Sequence, residues 1–273
     1  MINRRESILV RDNYYPTGEI PVIVQCTDLL TWVCKHCKGN IKTQLNELLG
    51  SSFASEWNLK TPEPCIITVD PNLVPKKIIP PIQPIFFQYP CFASLHNSDY
   101  LVIDETIIPQ LNDAGFRSQI ERKNDFLKIC LFDIWLCNED RCHNNTNLIL
   151  DQTIKGKFRF TVFDHGALFN TSNLSREIAL ITEEDSLISS DFASALFRSK
   201  HKMPEITSEV VKDFYFCVSQ CQNNLEQIFD NIPSEWSVNK EQLAVLLNKS
   251  IFTSEWLKQC EAQFRFLIQK FLS

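Results

Sequence analysis

Glycine is scarce in this chain: there are six in 273 residues, and none between Gly18 and Gly39. Backbone approaches phosphate most closely where no Cβ intervenes, so a dense glycine-rich phosphate loop is excluded from that stretch. Positive charge is also short, with 27 Lys and Arg against 33 Asp and Glu and a net charge of −6. That balance excludes a broad cationic face for a nucleic-acid duplex. No apolar run approaches the roughly 20 residues that a membrane-spanning helix needs. Met1–Asp12 is charged and polar, without the apolar stretch of a secretory signal. The eleven cysteines are therefore expected to be reduced thiols of a cytoplasmic protein, not a disulfide framework.

What is present is globular. Hydrophobic residues make up 44% and charged residues 22%, and twenty Phe with five Trp supply bulky core material. The length suits one large domain or two lobes sharing a cleft. Ile20–Val24 and Thr31–Lys35 read as β-branched strands joined by a turn, the arrangement of a hairpin. Leu45, Leu48, Leu49, Phe53 and Trp57 recur at helical spacing over Thr43–Trp57. Cys65–Val69 is another strand. The prolines of Pro71–Pro90 forbid helix and central strand, leaving an extended connection with a short strand at Ile85–Gln88. Asp125–Leu136 is apolar on nearly every face, as a helix buried in the middle of a helical lobe would be. A polar loop (Cys137–Asn147) follows, then strands at Leu148–Asp151 and Phe158–Asp164 around a turn with Gly156. Helices are expected from Ser172 onward.

The chemistry concentrates in Asn138-Glu139-Asp140-Arg141, in Asn145 and Asn147, and in Phe163-Asp164-His165-Gly166. Phosphoryl transfer asks little covalent work of a protein. It needs a carboxylate to orient the attacking hydroxyl and hard oxygen ligands to hold magnesium against the phosphates. Asp140 suits the first task. Asn145, five residues on, offers an amide oxygen, and Asp164, beyond the hairpin, a carboxylate; Asn147 is an alternative to Asn145. An Asp followed five residues later by Asn is the spacing of the protein-kinase catalytic loop, with Asp-His-Gly standing where Asp-Phe-Gly would. Upstream, Lys35 ends a strand and Glu47 lies on the next helix, the pairing that kinases use on the α- and β-phosphates. Cys26-Thr27-Asp28 occupies the turn expected to cover the phosphates. Cys34-Lys35-His36-Cys37 is a C-x-x-C, but Cys137, Cys142 and His143 are poorly spaced as a second half, so structural thiols outweigh zinc. His143 and His165 read as orienting residues.

The order of these motifs resembles the HipA-like kinases, especially a compact bacterial branch. The resemblance rests on WVCK at 32–35, NELL at 46–49, LKTPEP at 59–64, FASLHNSDYL at 92–101, NEDRCHNNTNLIL at 138–150, FDHG at 163–166 and IPSEW at 232–236. It implies an α+β, protein-kinase-like two-lobed fold, with a small β-rich lobe over residues 1–95 and a helical lobe over 96–273. It implies ATP and Mg2+ as cofactors and a protein Ser or Thr hydroxyl as acceptor. By position, Asp140 becomes the catalytic base, Lys35 and Glu47 hold ATP with Phe92 and Leu95 near the adenine, and Asn145 and Asp164 hold metal. The resemblance also implies a toxin–antitoxin or stress-response role with a small antitoxin partner. A kinase for small molecules or lipids, and a nucleotide-binding pseudokinase, are the competing readings. The glycine-free turn favours the pseudokinase, and retention of Asp140 opposes it.

Overall fold

The computed structural model of the chain describes residues 1–14, 20–36, 40–76, 82–171, 174 and 176–273. Five strands close into a barrel: β1 (Asn3–Tyr14), β2 (Val22–Cys26), β3 (Thr31–Cys34), β4 (Pro64–Thr68) and β5 (Cys91–Leu95). Their order is β1-β2-β3-β5-β4, and a parallel β1–β4 pairing makes the closure. The period-two pattern sends Val22, Val24, Cys26, Trp32, Cys34, Cys65, Ile67, Cys91 and Ala93 into the barrel, all buried. With Cys34 pointing inward, Lys35 leaves the barrel on the other side.

Helix α1 (Ile41–Glu56) connects β3 to β4. The Asn40 side chain caps it by accepting the Lys42 N–H at 3.0 Å. Leu48, Leu49, Phe53 and Trp57 belong to the larger core, with α3 (Asp125–Leu136) at its centre. Every residue of α3 from Phe126 to Leu136 is buried. Trp57 stacks on Trp135, ring centroids 5.5 Å apart and 19° from parallel. The two indole N–H groups at the other end of the cluster are satisfied: Trp135 donates to the Ile251 carbonyl (2.8 Å) and Trp256 to that of Trp135 (3.1 Å). Truncating Trp57 or Trp135 to Ala should cost about 3–5 kcal/mol.

A second sheet, β6 (Tyr100–Val102), β7 (Leu148–Asp151) and β8 (Arg159–Val162), is antiparallel in the order β6-β7-β8. Between β6 and α3 lies α2 (Ala114–Gln119). Helices resume only at Asp191, with α4 (Asp191–Leu196), α5 (Met203–Asn223), α6 (Leu225–Phe229), α7 (Lys240–Lys249) and α8 (Ser254–Leu272). The expectation of helix from Ser172 fails over the described residues 174 and 176–190, which hold only a 3-10 turn at Leu187–Ser189. Helix α8 packs along α3 through Trp256, Cys260 and Phe264, while Phe266 on its outer side is exposed.

At three places the structure adds to or corrects the sequence reading. Asn3–Tyr14 is a long strand, hidden in the sequence by two runs of charge, Arg4-Arg5-Glu6 and Arg11-Asp12, which break the apolar alternation of a strand. Ile85–Gln88 is not a strand: Pro84 starts a 3-10 turn (Pro84–Phe87) that buries the Phe87 ring. The third concerns the Cys26-Thr27-Asp28 turn. It is the β2–β3 connection, tied down by Asp28, which accepts from Arg5 Nε (2.7 Å) and Leu30 N (2.9 Å). Since β1 precedes it, the strand leading to Lys35 is the third, and Gly18 belongs to the β1–β2 connection, whose residues 15–19 lie outside the described ones.

Candidate active site

Lys35, Glu47 and Asp164 meet. The Lys35 ammonium bonds Glu47 Oε1 and lies 2.5 Å from Asp164 Oδ1. Three elements contribute: the end of β3, the buried face of α1, and the segment after β8. The second Glu47 oxygen accepts the backbone N–H of His165 at 3.1 Å. One residue earlier, Asn46 Nδ2 donates to the carbonyls of Gly166 (2.9 Å) and Leu168 (3.3 Å). α1 therefore clasps the Asp-His-Gly segment through consecutive side chains. Asp164 itself has φ +59°, a left-handed conformation that costs a non-glycine residue about 1–2 kcal/mol.

The Asp140 loop is organised by amides. Asn145 Nδ2 donates to Asp140 Oδ1 and Asn147 Nδ2 to Asp140 Oδ2, each at 3.0 Å, so the carboxylate is held from both sides. Asn147 is buried with φ +44°, which asparagine tolerates better than most residues. Asn145 is exposed. Below the loop, Arg141 is wholly buried and paired with Asp133 of α3. Its Nε donates to the Asn147 carbonyl at 3.3 Å and its Nη2 to the Phe163 carbonyl at 2.6 Å. Asn138 completes the cluster through Nδ2 to Asp133 Oδ1, 3.2 Å. A cavity of about 570 Å³ adjoins the loop, lined by His143, Asn144, Asn145, Asp104 and Asp191 among others.

Burial and charge act against each other here. Burial raises Glu47 to about 7 although Lys35 opposes it. Burial works the same way on Asp164, yet the Lys35 ammonium overrides it and holds that carboxyl below the usual carboxylate range. Asp133 rises to about 6 by burial, against the pull of Arg141. His165 is pushed well below its ordinary value by burial, then by Arg141 and Lys35, and is neutral.

The expected residues thus fall into two groups, Lys35–Glu47–Asp164 and Asp140–Asn145–Asn147, with Arg141 between them. Phe92 and Leu95 lie on β5. Phe92 is buried, its N–H given to Gln44 Oε1 (2.6 Å) and its carbonyl taken by Lys35 N–H (3.0 Å). Leu95 N–H goes to the Glu63 carbonyl at 2.9 Å. Arg141, Asp133 and Asn46 went unread in the sequence, because their partners are backbone carbonyls or residues of another element. The Asp-Arg pair of the 138–141 motif was the available signal. Cys34 and Cys137 are buried free thiols, Cys37 lies outside the described residues, and among the described residues no three His, Cys, Asp or Glu side chains converge as a metal set. His143 Nδ1 lies 2.9 Å from the Glu184 carbonyl. The donors available fit magnesium. Asp164 is ionised, and Asn145 turns its Nδ2 to Asp140, leaving an amide oxygen. A hard cation favours such oxygens, completed by phosphate and water.

No curated protein sequence matches the chain. The crystal structure of the Helicobacter pylori proinflammatory kinase CtkA matches it with a TM-score of 0.54, covering 100% of this chain and 98% of that one at 12% identity. At so low an identity, the likeness is one of fold. The profile of the HipA-like kinases matches residues 16–265, nearly the whole length. This chain belongs to the HipA-like kinase family.

Proposed function

We propose that the chain is an ATP- and Mg2+-dependent protein kinase acting on Ser or Thr hydroxyls. Residues 1–95 form its nucleotide-binding lobe and residues 96–273 its helical lobe. One observation carries the reading: Lys35 bridges Glu47 and Asp164, while two asparagines hold both oxygens of Asp140. The Lys–Glu pair and the metal-binding aspartate must be in place together for kinase chemistry. Lys35 would neutralise the α- and β-phosphates of a bound nucleotide, with Glu47 holding its ammonium in place. Asp140 accepts the proton of the acceptor hydroxyl, and its fixed carboxylate aims that oxygen at the γ-phosphorus. Asn145 and Asp164 hold Mg2+, which when bound neutralises charge on the phosphates. The backbone groups of Phe92 and the N–H of Leu95 are already used and the Phe92 ring is buried, so Phe92 backs the adenine site from the core while the half-buried Leu95 offers it apolar surface.

The glycine-free Cys26-Thr27-Asp28 turn favours the alternative of a nucleotide-binding pseudokinase, and the retention of Lys35, Asp140 and Asp164 opposes it. Within the family the natural extension is a cytoplasmic bacterial enzyme of a toxin–antitoxin or stress-response pair, with a small antitoxin as partner and a protein as substrate.

The test is labelled ATP with Mg2+ and a cell lysate. Label on serine or threonine of a lysate protein, lost in Asp140→Ala and Asp164→Ala, supports the reading. Thermal stabilisation by ATP without transfer in the wild type would refute the kinase and leave a binding module. No nucleotide effect at all would refute both.

A further inference from the structure

Gly50 is a glycine in the middle of a buried helix, a position that costs about 1 kcal/mol relative to alanine. Its reason lies across the interface. A Cβ built on Gly50 would stand 2.4 Å from both Cβ and Cγ of His165 and 2.8 Å from its Nδ1. The His165 Cβ is fixed to the backbone, so no rotamer change relieves the contact. Gly50 lies one turn beyond Glu47, whose carboxylate holds the His165 N–H. The same face of α1 thus grips the backbone of His165 and leaves room for its ring.

The ring is used as a shape. His165 is 2% exposed, its two nitrogens have no hydrogen-bond partner among the described residues, and it meets Phe132 edge-on with centroids 6.1 Å apart. A polar ring kept without partners must be held by packing. The residue before it is Asp164, in a left-handed conformation.

We propose that Gly50 and His165 are positioning residues: their close packing fixes α1 against the Asp-His-Gly backbone and so aims the Asp164 carboxylate at the metal. This rests on the proposed reading of Asp164 as a metal ligand. It predicts that any side chain at position 50 displaces Asp164 while Lys35 keeps its bond to Glu47 and Asp140 keeps its two asparagines. A misplacement on the order of 1 Å can cost about a hundredfold in rate.

The experiment is a double-mutant cycle of Gly50→Ala and His165→Gly, read in two ways. One readout is the Mg2+ concentration that half-saturates transfer. The other is the Mg2+ dependence of the ATP-induced rise in melting temperature, which needs no turnover. Gly50→Ala should raise the Mg2+ requirement about tenfold with KM for ATP changed about twofold or less, a split that general loss of packing does not produce. In the His165→Gly background, where Cβ and Cγ are gone, Gly50→Ala should add little. His165→Phe, with the same Cβ and Cγ, should keep the wild-type Mg2+ requirement. A folded Gly50→Ala protein with wild-type Mg2+ dependence overturns the proposal and leaves the kinase reading intact. If the Gly50→Ala single variant does not fold, the double variant decides. An equal penalty from Gly50→Ala in the His165→Gly background overturns the proposal, and a neutral effect there supports it. A wild type without any Mg2+–ATP effect refutes the kinase reading, and this inference with it.

Discussion

Arg141 joins Asn147 to Phe163. Its guanidinium donates to the carbonyl of Asn147 (3.3 Å) on the Asp140 loop and to the carbonyl of Phe163 (2.6 Å), the residue before Asp164. Asp133 of α3 balances its charge. The Asp140 loop and the segment that carries Asp164 are therefore registered against each other by one buried cation. Only a planar fork reaches these acceptors at once.

Removing that cation should be severe. Arg141→Ala leaves Asp133 ionisable and unpaired in the core, at a cost of about 3–5 kcal/mol. Arg141→Lys keeps the charge but reaches fewer acceptors, so it should fold with a lower melting temperature and a reduced transfer rate. Calorimetry beside a phosphotransfer assay checks both. An Arg141→Lys protein matching the wild type in rate would show that the fork is not needed.

The same pair makes a pH prediction. Asp133 titrates near 3.8 when unfolded and at about 6 when folded, raised by burial despite Arg141. A raised carboxyl gives stability that is complete below its unfolded value and lost as pH rises through the folded one. Wild type should therefore lose stability relative to Asp133→Asn between about pH 4 and about pH 6–7, and the difference should be flat above that range. Denaturant midpoints measured across the range test this. A difference flat from about pH 4 to about pH 8 would contradict it.

The two asparagines of the loop should separate. Asn145 is exposed, so Asn145→Ala should raise the Mg2+ requirement while leaving the melting temperature nearly unchanged. Asn147 is buried, in a left-handed conformation, and its carbonyl is held by Arg141. Asn147→Ala should lower stability by about 1–3 kcal/mol, from a lost donor and a strained backbone. The reverse pattern would exchange their roles.

Much of this was legible because local chemistry and fold agree. The apolar α3 announces a buried helix, and the α1 stripe of Leu45, Leu48, Leu49 and Phe53 marks its core face; Glu47 lies off that stripe and is buried by its partners Lys35 and the His165 N–H. Alternation at Cys34 and Lys35 predicts that the thiol and the ammonium diverge. What stayed hidden was non-local. Strand β1 carries charges on its exposed positions and owes its place to pairing with β2 and β4. Ile85–Gln88 has strand-forming residues, but Pro84 favours a turn and Phe87 finds a pocket. The partners of Arg141 are carbonyls, which sequence cannot name. Gly50 has no explanation within its own helix, because its neighbour His165 lies on another element.

The central claim is that Asp140 and Asp164 serve phosphoryl transfer on a nucleotide held by Lys35 and Glu47. Single-turnover transfer of labelled γ-phosphate, with the purified protein, Mg2+ and an acceptor protein taken from the lysate, tests it most directly. Asp140→Ala should slow transfer by about 10²–10⁴-fold while ATP still raises the melting temperature. Transfer by Asp140→Ala at the wild-type rate would contradict the account.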